Sequence, residues 1–231
     1  MNISKIRPVV LSLLLSLCAV SASAAAFSPL QIGYEVMDAG QLVAHETPVI
    51  GLRLNLPFSH NDTAAGLDFG FASYAKTFSG ISLNFGAYSK TCNGVALGLL
   101  DFADTFNGIQ LGAWALTETL NGLKFAGYGF CKTVRGIQIC AVSLDETVQG
   151  LQIGMANRSE VLKGLQFGVY NSVGKVLWDD EDRHPAACGT VYGLQIGLVN
   201  RAETLHGVQI GLLNFVSDSD YPCLPFLRAS F

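Results

Sequence analysis

The side chains best suited to chemistry are few, and they lie apart in the sequence. The four histidines, His45, His60, His184 and His206, lack the spacing of a metal-binding pair. The sequence also lacks the Gly-x-Ser-x-Gly turn of serine hydrolases, the His-Glu-x-x-His zinc motif and a phosphate-binding glycine loop. We therefore expect no catalytic site, no metal and no cofactor.

The densest group of charges is a run of four acidic residues at 179–182. Carboxylate oxygens are the ligands that Ca²⁺ prefers. Adjacent acids, however, lack the every-other-residue spacing that lets one loop surround an ion, so the run is interpreted as a solvated loop.

The cysteines form no recognisable motif, because no pair has the short spacing of a metal knuckle. Cys92 takes the place of an apolar residue, which indicates a buried thiol. Cys188 and Cys223 fall outside the regular part of the sequence and are candidates for a disulfide in an oxidising compartment.

A 14-residue repeat dominates the chain and must position any site that exists. It begins with a glycine, which we number position 1, and its period is constant except for longer intervals before Gly66 and before Gly193. The glycines are Gly51, Gly66, Gly80, Gly94, Gly108, Gly122, Gly136, Gly150, Gly164, Gly193 and Gly207. Positions 2 and 4 are apolar and position 3 is mostly polar, often Gln, which is typical of a half-buried strand. This alternation predicts that positions 2 and 4 face the core and position 3 faces solvent, so that Ile153→Asp would be costly and Gln152→Asp mild.

A second strand is predicted at positions 9 to 13, which also alternate in the earlier repeats. Position 5 is often Gly and position 8 is often Asn, and both residues tolerate the backbone of a corner. Two short strands and two corners in each repeat predict one coil of a β-solenoid. The expected fold is therefore all-β, a β-roll-like solenoid of about 11 coils, in which the Asn side chains form a hydrogen-bonded ladder. Aromatic residues at positions 7 and 9, Trp114 and Tyr170 among them, are expected to pack in the core.

An outer-membrane β-barrel is the alternative fold, since such barrels share an export signal, alternating segments and often a C-terminal aromatic residue, here Phe231. Bacterial barrels alternate short and long connections. The nearly constant interval of this chain therefore favours the solenoid.

Two polar positions of the repeat would become ladders on the surface of a solenoid. Position 11 is charged and position 12 is Thr in most of the earlier repeats, and opposite charges would attract between Lys90 and Asp104 and between Glu118 and Lys132. A solvated surface is the simpler interpretation of these positions. The candidate interaction face consists of Lys76, Thr77, Lys90, Thr91, Asp104, Thr105, Glu118 and Thr119.

The N-terminus is typical of a secretory signal peptide. Lys5 and Arg7 precede an apolar run over residues 9–20, and small residues follow at 22–26. The run is too short to cross about 30 Å of hydrocarbon as a helix. We expect cleavage near Ala26 and export to the cell surface, the outer membrane or the periplasm of a bacterium.

Composition limits the class of partner. The 231 residues include 18 acidic and 14 basic side chains, for a formal net charge of −4. A nucleic-acid-binding face requires an excess of Lys and Arg. We therefore expect an extracellular or envelope partner of unknown identity, with outer-membrane association as an option, and no nucleic acid.

The repeat unit resembles that of bacterial surface-repeat proteins first identified in leptospiral genomes. The resemblance covers about residues 47–231 and is carried by serial Gly-Leu-Gln-Ile-Gly-Leu-x-Asn units, as at 193–200, and by Leu-Pro-Phe at 224–226. The middle repeats depart from this pattern, since Ala126 and Cys140 replace the glycine of position 5. The resemblance implies a surface location and no particular activity.

These patterns predict four segments: a signal peptide at 1–26, an N-terminal cap at 27–50, a repeat array at 51–215 and a C-terminal cap at 216–231. Residues 178–192 would form a loop or a degenerate coil. The predicted function is a structural or binding module, with an integral outer-membrane barrel as the alternative. A carbohydrate-active enzyme built on a solenoid is a remote alternative.

Overall fold

The computed structural model describes residues 27–34, 41–174 and 189–231. Five strands account for most of them: β1 (Ser28–Gly33), β2 (Val49–Val173), β3 (Thr190–Ala202), β4 (Thr204–Val216) and β5 (Cys223–Ser230). They form one sheet in the order β1-β2-β3-β4-β5. The predicted all-β class is therefore confirmed. Within the described ranges, no helix has the length and apolarity needed to cross a membrane.

The register of the sheet follows the repeat. β1 pairs in parallel with β2, β2 with β3, and β3 with β4, whereas β5 runs antiparallel to β4. Gly193 pairs with Gly207 across the β3–β4 ladder, and Gly164 pairs with Gly193 across the β2–β3 ladder. The repeat that begins at Gly193 therefore stacks directly on the one that begins at Gly164, despite the longer interval between them. The acidic run at 179–182 and Cys188 lie outside the described residues, as do residues 1–26.

β2 contains 125 residues, which would extend over about 400 Å if it were straight, at ~3.3 Å per residue. Instead, equivalent residues of successive repeats in β2 contact each other. Asn107 donates a hydrogen bond to Asn93 at 2.8 Å, and Asn121 donates one to Asn107 at 2.8 Å. Equivalent positions of neighbouring repeats therefore lie against one another.

The repeat glycines are required by the backbone. Gly108 has a φ of 136°, a conformation that L side chains rarely adopt, and a Cβ atom there would collide with the carbonyl oxygen of Gly94. Gly150 has the same arrangement over Gly136. Position 1 is glycine because successive backbones approach closely at this point.

The apolar core is formed mainly by the column two places before each repeat glycine, which is position 13, together with small or apolar residues at position 10. Every member of the position 13 column is buried, and Cys92 among them is 3% exposed, which confirms the prediction of a buried thiol. The column consists of Val49, Ala64, Phe78, Cys92, Phe106, Leu120, Val134, Val148, Leu162, Val191 and Leu205.

The predicted orientation of positions 2, 3 and 4 is wrong. Gln152 at position 3 is fully buried, whereas Leu165 at position 2 and Phe69 at position 4 are 40% and 52% exposed. The physical reason is that the buried amides from Gln152 to Gln209 bond to one another in successive repeats, so most hydrogen-bonding groups of this polar column are paired in the interior.

Candidate binding surface

A ladder of glutamine amides runs through the interior at position 3. Gln209 donates to Gln195, Gln195 to Gln166 and Gln166 to Gln152, each over 2.7 Å. Gln152 in turn donates to Ser143 at 2.7 Å and to the carboxylate of Asp145 at 2.6 Å. The ladder thus has a direction, with every donor pointing toward Asp145.

A second ladder, of asparagines at position 8, lies in the same interior and confirms the predicted Asn ladder. Asn157 donates to Asn171 at 2.9 Å, Asn171 to Asn200 at 2.9 Å, and Asn200 to Asn214 at 2.8 Å. The Ser143 hydroxyl donates to Asn157 at 2.9 Å. The Asn donors therefore point away from Ser143, opposite to the Gln donors.

The middle repeats place a lysine where the later repeats have glutamine. Lys124 at position 3 is fully buried. Its Nζ donates to Cys131 Sγ at 2.9 Å, to the Thr117 hydroxyl at 3.2 Å, and to the carbonyls of Ala115 and Phe130 at 3.3 Å each. The ammonium group is held by neutral acceptors in the core.

Two buried carboxyl groups lie in the same repeats. Burial raises the pKa of Asp101 to about 7 and that of Asp145 to about 7, and the positive charge of Lys124 offsets part of each increase. Burial also raises the pKa of the Cys131 thiol to about 12. At neutral pH this thiol is protonated, which makes it a poor nucleophile.

The first repeats hold a buried ion pair. Arg53 Nε and Nη2 donate to the two carboxylate oxygens of Asp68 at 2.8 and 2.7 Å, and both side chains are almost fully buried. Asp68 also accepts from Asn55 at 2.6 Å and from Asn84 at 2.8 Å. Every oxygen of this carboxylate is therefore satisfied.

A small cavity lies in the interior of the first five repeats. The enclosed space beside Arg53, Asp68, Tyr88 and Asp101 is about 20 Å³, which is about the volume needed to hold one water molecule. In the part of the chain that the structure describes, no group of three or more His, Cys, Asp or Glu side chains is arranged to hold a metal.

Positions 2, 4 and 6 of the repeats form one outer surface, which we call the apolar face. Every residue in these three columns is apolar or glycine, and none is buried. The columns consist of Leu52, Leu54, Leu56, Leu67, Phe69, Phe71, Ile81, Leu83, Phe85, Val95, Leu97, Leu99, Ile109, Leu111, Ala113, Leu123, Phe125, Gly127, Ile137, Ile139, Ala141, Leu151, Ile153, Met155, Leu165, Phe167, Val169, Leu194, Ile196, Leu198, Val208, Ile210 and Leu212.

Large side chains on the apolar face are substantially exposed. Leu97 is 50% exposed and Met155 is 66% exposed, and the rings of Phe71 and Phe85 stack at 4.9 Å. Trp114, beside the face at position 7, is 53% exposed and packs against Tyr128. Tyr170 is 41% exposed, so the prediction that Trp114 and Tyr170 pack in the core is wrong.

A groove crosses the C-terminal part of the apolar face. Its floor is formed by the glycines of position 5 and its walls by the side chains of positions 4 and 6, over residues 153–212, with Phe226 of β5 at one end. The groove is open to solvent and has a volume of about 740 Å³. Its lining is apolar, so its chemistry suits contact with another apolar surface.

The candidate interaction face predicted from positions 11 and 12 lies on the surface, since none of its eight residues is buried. The expected attraction between Glu118 and Lys132 is confirmed as an ion pair. Lys76 pairs with Asp62 at 2.9 Å, which lowers the pKa of the carboxyl and raises that of the ammonium group, and Asp104 accepts a hydrogen bond from the Tyr88 hydroxyl at 3.0 Å. Whether this face binds a partner stays a prediction.

Two signals in the sequence distinguish the apolar face from a core. Position 3 is Gln in most of the later repeats, whereas a solvated column usually varies and carries Lys and Glu, as position 11 does. Position 6 is apolar or glycine throughout, so three apolar columns, at positions 2, 4 and 6, alternate with the polar residues of position 3.

No family model, no curated protein and no solved structure matches the chain. The resemblance to bacterial surface-repeat proteins therefore rests on the repeat residues alone.

Proposed function

We propose that the protein is an exported, surface-associated structural or binding module, built as a β-solenoid of about 11 coils, which binds its partner through the apolar face. The export signal at 1–26 and the composition support the location. The proposal gives the interior a purely structural role, because Lys124, Asp101 and Asp145 are enclosed among other side chains.

The parallel ladders support the solenoid. Successive strands pair in parallel with offsets that match the repeat, such as Gly193 with Gly207, and the equivalent side chains of Asn93 and Asn107 bond within β2. Strands of bacterial outer-membrane barrels are antiparallel. The register therefore favours stacked coils over the barrel alternative.

The observation that carries the binding role is the outward orientation of the three apolar columns. At about 4.8 Å per coil and about 3.3 Å per residue, eleven coils give a face roughly 50 Å long and 15 Å wide, on the order of 800 Å². The largest apolar patch of an ordinary monomer is about 300–600 Å². We expect a binding partner to cover a face of this size once the protein has been exported.

Cysteine labelling tests this role without knowledge of the partner. Leu97→Cys places a thiol on the apolar face, and Gln149→Cys places one at an exposed side chain outside both the apolar face and the candidate interaction face, as a matched control. Both are made with Cys188 and Cys223 replaced by Ser, because the other thiols of the described repeats are buried. In isolated envelopes, we expect maleimide to react at least ten times more slowly with the thiol at residue 97 than with the thiol at residue 149.

After unfolding in urea, the two thiols should react at the same rate. Equal rates in the intact envelope would overturn the binding role, and an uncleaved chain found in the cytoplasm would overturn the proposed location. N-terminal sequencing of the exported protein provides the second measurement and is expected to begin near Phe27.

A further inference from the structure

We infer that the partner of the apolar face is a second copy of this chain, packed face to face about a two-fold axis that runs parallel to the stacked repeats. This inference rests on the proposed function and names the partner for the same surface. In such a pair the two rods lie side by side in the same direction, and the same surface of each copy forms the contact.

The size of the face fits this occupant. A specific interface of standard size buries about 800 Å² on each partner, which is close to the area of roughly 800 Å² that the three columns provide. A smaller partner would leave part of the face in water. A second rod of equal length, aligned repeat against repeat, covers it from end to end.

The charge of the chain favours a protein partner over a bilayer. Surfaces that lie on membranes usually combine an apolar face with Lys and Arg that attract anionic lipids. This chain has a formal net charge of −4. The apolar face itself has no basic residue in any of its three columns.

The sizes of the side chains near the middle of the face decide the direction of the axis. Position 6 is small in the three central repeats: Ala113, Gly127 and Ala141. Position 2 is large in the same repeats: Ile109, Leu123 and Ile137. An axis parallel to the rods places position 6 of one copy opposite position 2 of the other, so small residues meet large ones, as in interdigitated sheets packed about 10 Å apart.

The antiparallel alternative lacks this fit. A two-fold axis along the strands would place position 6 of one copy opposite position 6 of the other, so that Gly127 would face Gly127 and Ala113 would face Ala141. A gap would then lie at the centre of the interface, and such gaps forfeit contact energy. The parallel axis also places position 4 of every repeat opposite its own copy.

Analytical ultracentrifugation of the purified, exported full-length protein tests the inference. The wild-type protein should sediment with twice the monomer mass. Phe125→Lys places a charge at position 4 of the central repeat, where it meets its own copy, and should weaken dimerisation at least 100-fold. Gln149→Lys, at an exposed side chain outside both the apolar face and the candidate interaction face, is the control and should leave the dimer intact. Circular dichroism melting of both variants shows that each is folded.

Cross-linking tests the direction of the axis independently of the stability of the Phe125→Lys variant. Phe69→Cys, made with Cys188 and Cys223 replaced by Ser, should link to its own copy through a short bifunctional maleimide, since position 4 faces itself in every repeat. A mixture of Phe69→Cys and Ile196→Cys should yield little of the mixed product, because these positions lie four repeats on either side of the centre. A mixed product that forms efficiently while Phe69→Cys fails to link to itself would overturn the parallel arrangement.

Vesicle flotation separates failure of this inference from failure of the proposed function. A monomeric wild-type protein that floats with phosphatidylcholine vesicles would overturn the second copy as partner, while a protected Leu97→Cys would still support the binding role. A monomer that does not float, with Leu97→Cys and Gln149→Cys labelled equally fast, would overturn both.

Discussion

The interior of the later repeats differs in kind from that of the middle repeats. From Gln152 to Asn214 the buried polar side chains are mostly amides, and each bonds to the equivalent amide of the next repeat. In the middle repeats the same interior holds Lys124, Asp101 and Asp145. The repeat glycines of both regions have a similar backbone conformation, and the regions differ in how each satisfies its buried polar groups.

An amide carries a donor and an acceptor, so a column of identical amides satisfies itself at any length. A lysine has only donors and a carboxylate only acceptors, so each must find a partner of another type in a neighbouring column. Lys124 does so with Cys131 and Thr117. The amide side chains consequently do not titrate, whereas the carboxyl groups of Asp101 and Asp145 in the middle repeats do.

The largest expected effect is a pH dependence of the free energy of unfolding, which arises from the middle repeats. The pKa of Asp101 and of Asp145 is raised from 3.8 to about 7 by burial, with Lys124 opposing the increase. Between about pH 4 and pH 7 the folded chain retains protons that the unfolded chain has released. The contribution of these two carboxyl groups to the free energy of unfolding is therefore fully present below about pH 4 and is lost as the pH rises to 7. The loss is about 4 kcal/mol for each group, since one pKa unit corresponds to about 1.4 kcal/mol.

Urea unfolding measured from pH 4 to pH 8 checks this expectation. Replacing both acids by Asn should flatten the curve, because the amide does not titrate in this range. If the double variant keeps the wild-type slope, the dependence comes from other groups.

The second-largest expected effect is a greater loss of stability in Gln152→Asp than in Ile153→Asp. This order is the reverse of the one predicted from the sequence. Gln152→Asp removes the donors to Ser143 and Asp145 and places a second buried carboxylate beside Asp145, at a cost of about 3–5 kcal/mol. Ile153→Asp lies on the apolar face and should cost less than about 1 kcal/mol in the monomer. Chemical denaturation at a dilution where both chains sediment as monomers measures the difference, and equal losses would contradict the observed orientation of the strand.

The all-β class, the repeat and the Asn ladder could be predicted because they depend on local rules. A glycine at the start of every repeat indicates a close backbone approach, which the φ of Gly108 bears out. Asn at one fixed position indicates stacking at a corner. Each of these signals is one residue type at one position of the repeat.

The direction in which each column faces could not be predicted from alternation. Alternating residues show that one set is polar and the other apolar, and the polar set is normally assigned to solvent. That rule fails for Gln166 because its amide pairs with Gln152 and Gln195 in neighbouring repeats. The buried contacts of Lys124 with Cys131 and of Arg53 with Asp68 involve residues that do not recur from repeat to repeat, so no column pattern reveals them.

The smallest expected effect distinguishes the middle of the amide ladder from its end. Gln195 donates to Gln166 and accepts from Gln209, so Gln195→Leu leaves one acceptor and one donor unpaired in the interior. Gln209 donates to Gln195, and its side-chain oxygen has no hydrogen-bond partner. Gln209→Leu therefore leaves only the oxygen of Gln195 unpaired. An unpaired buried group costs about 1–3 kcal/mol, so Gln195→Leu should be less stable than Gln209→Leu by about 1 kcal/mol in urea unfolding. A Gln209 variant that loses as much stability as the Gln195 variant would show that the ladder does not act through pairwise bonds between neighbouring amides.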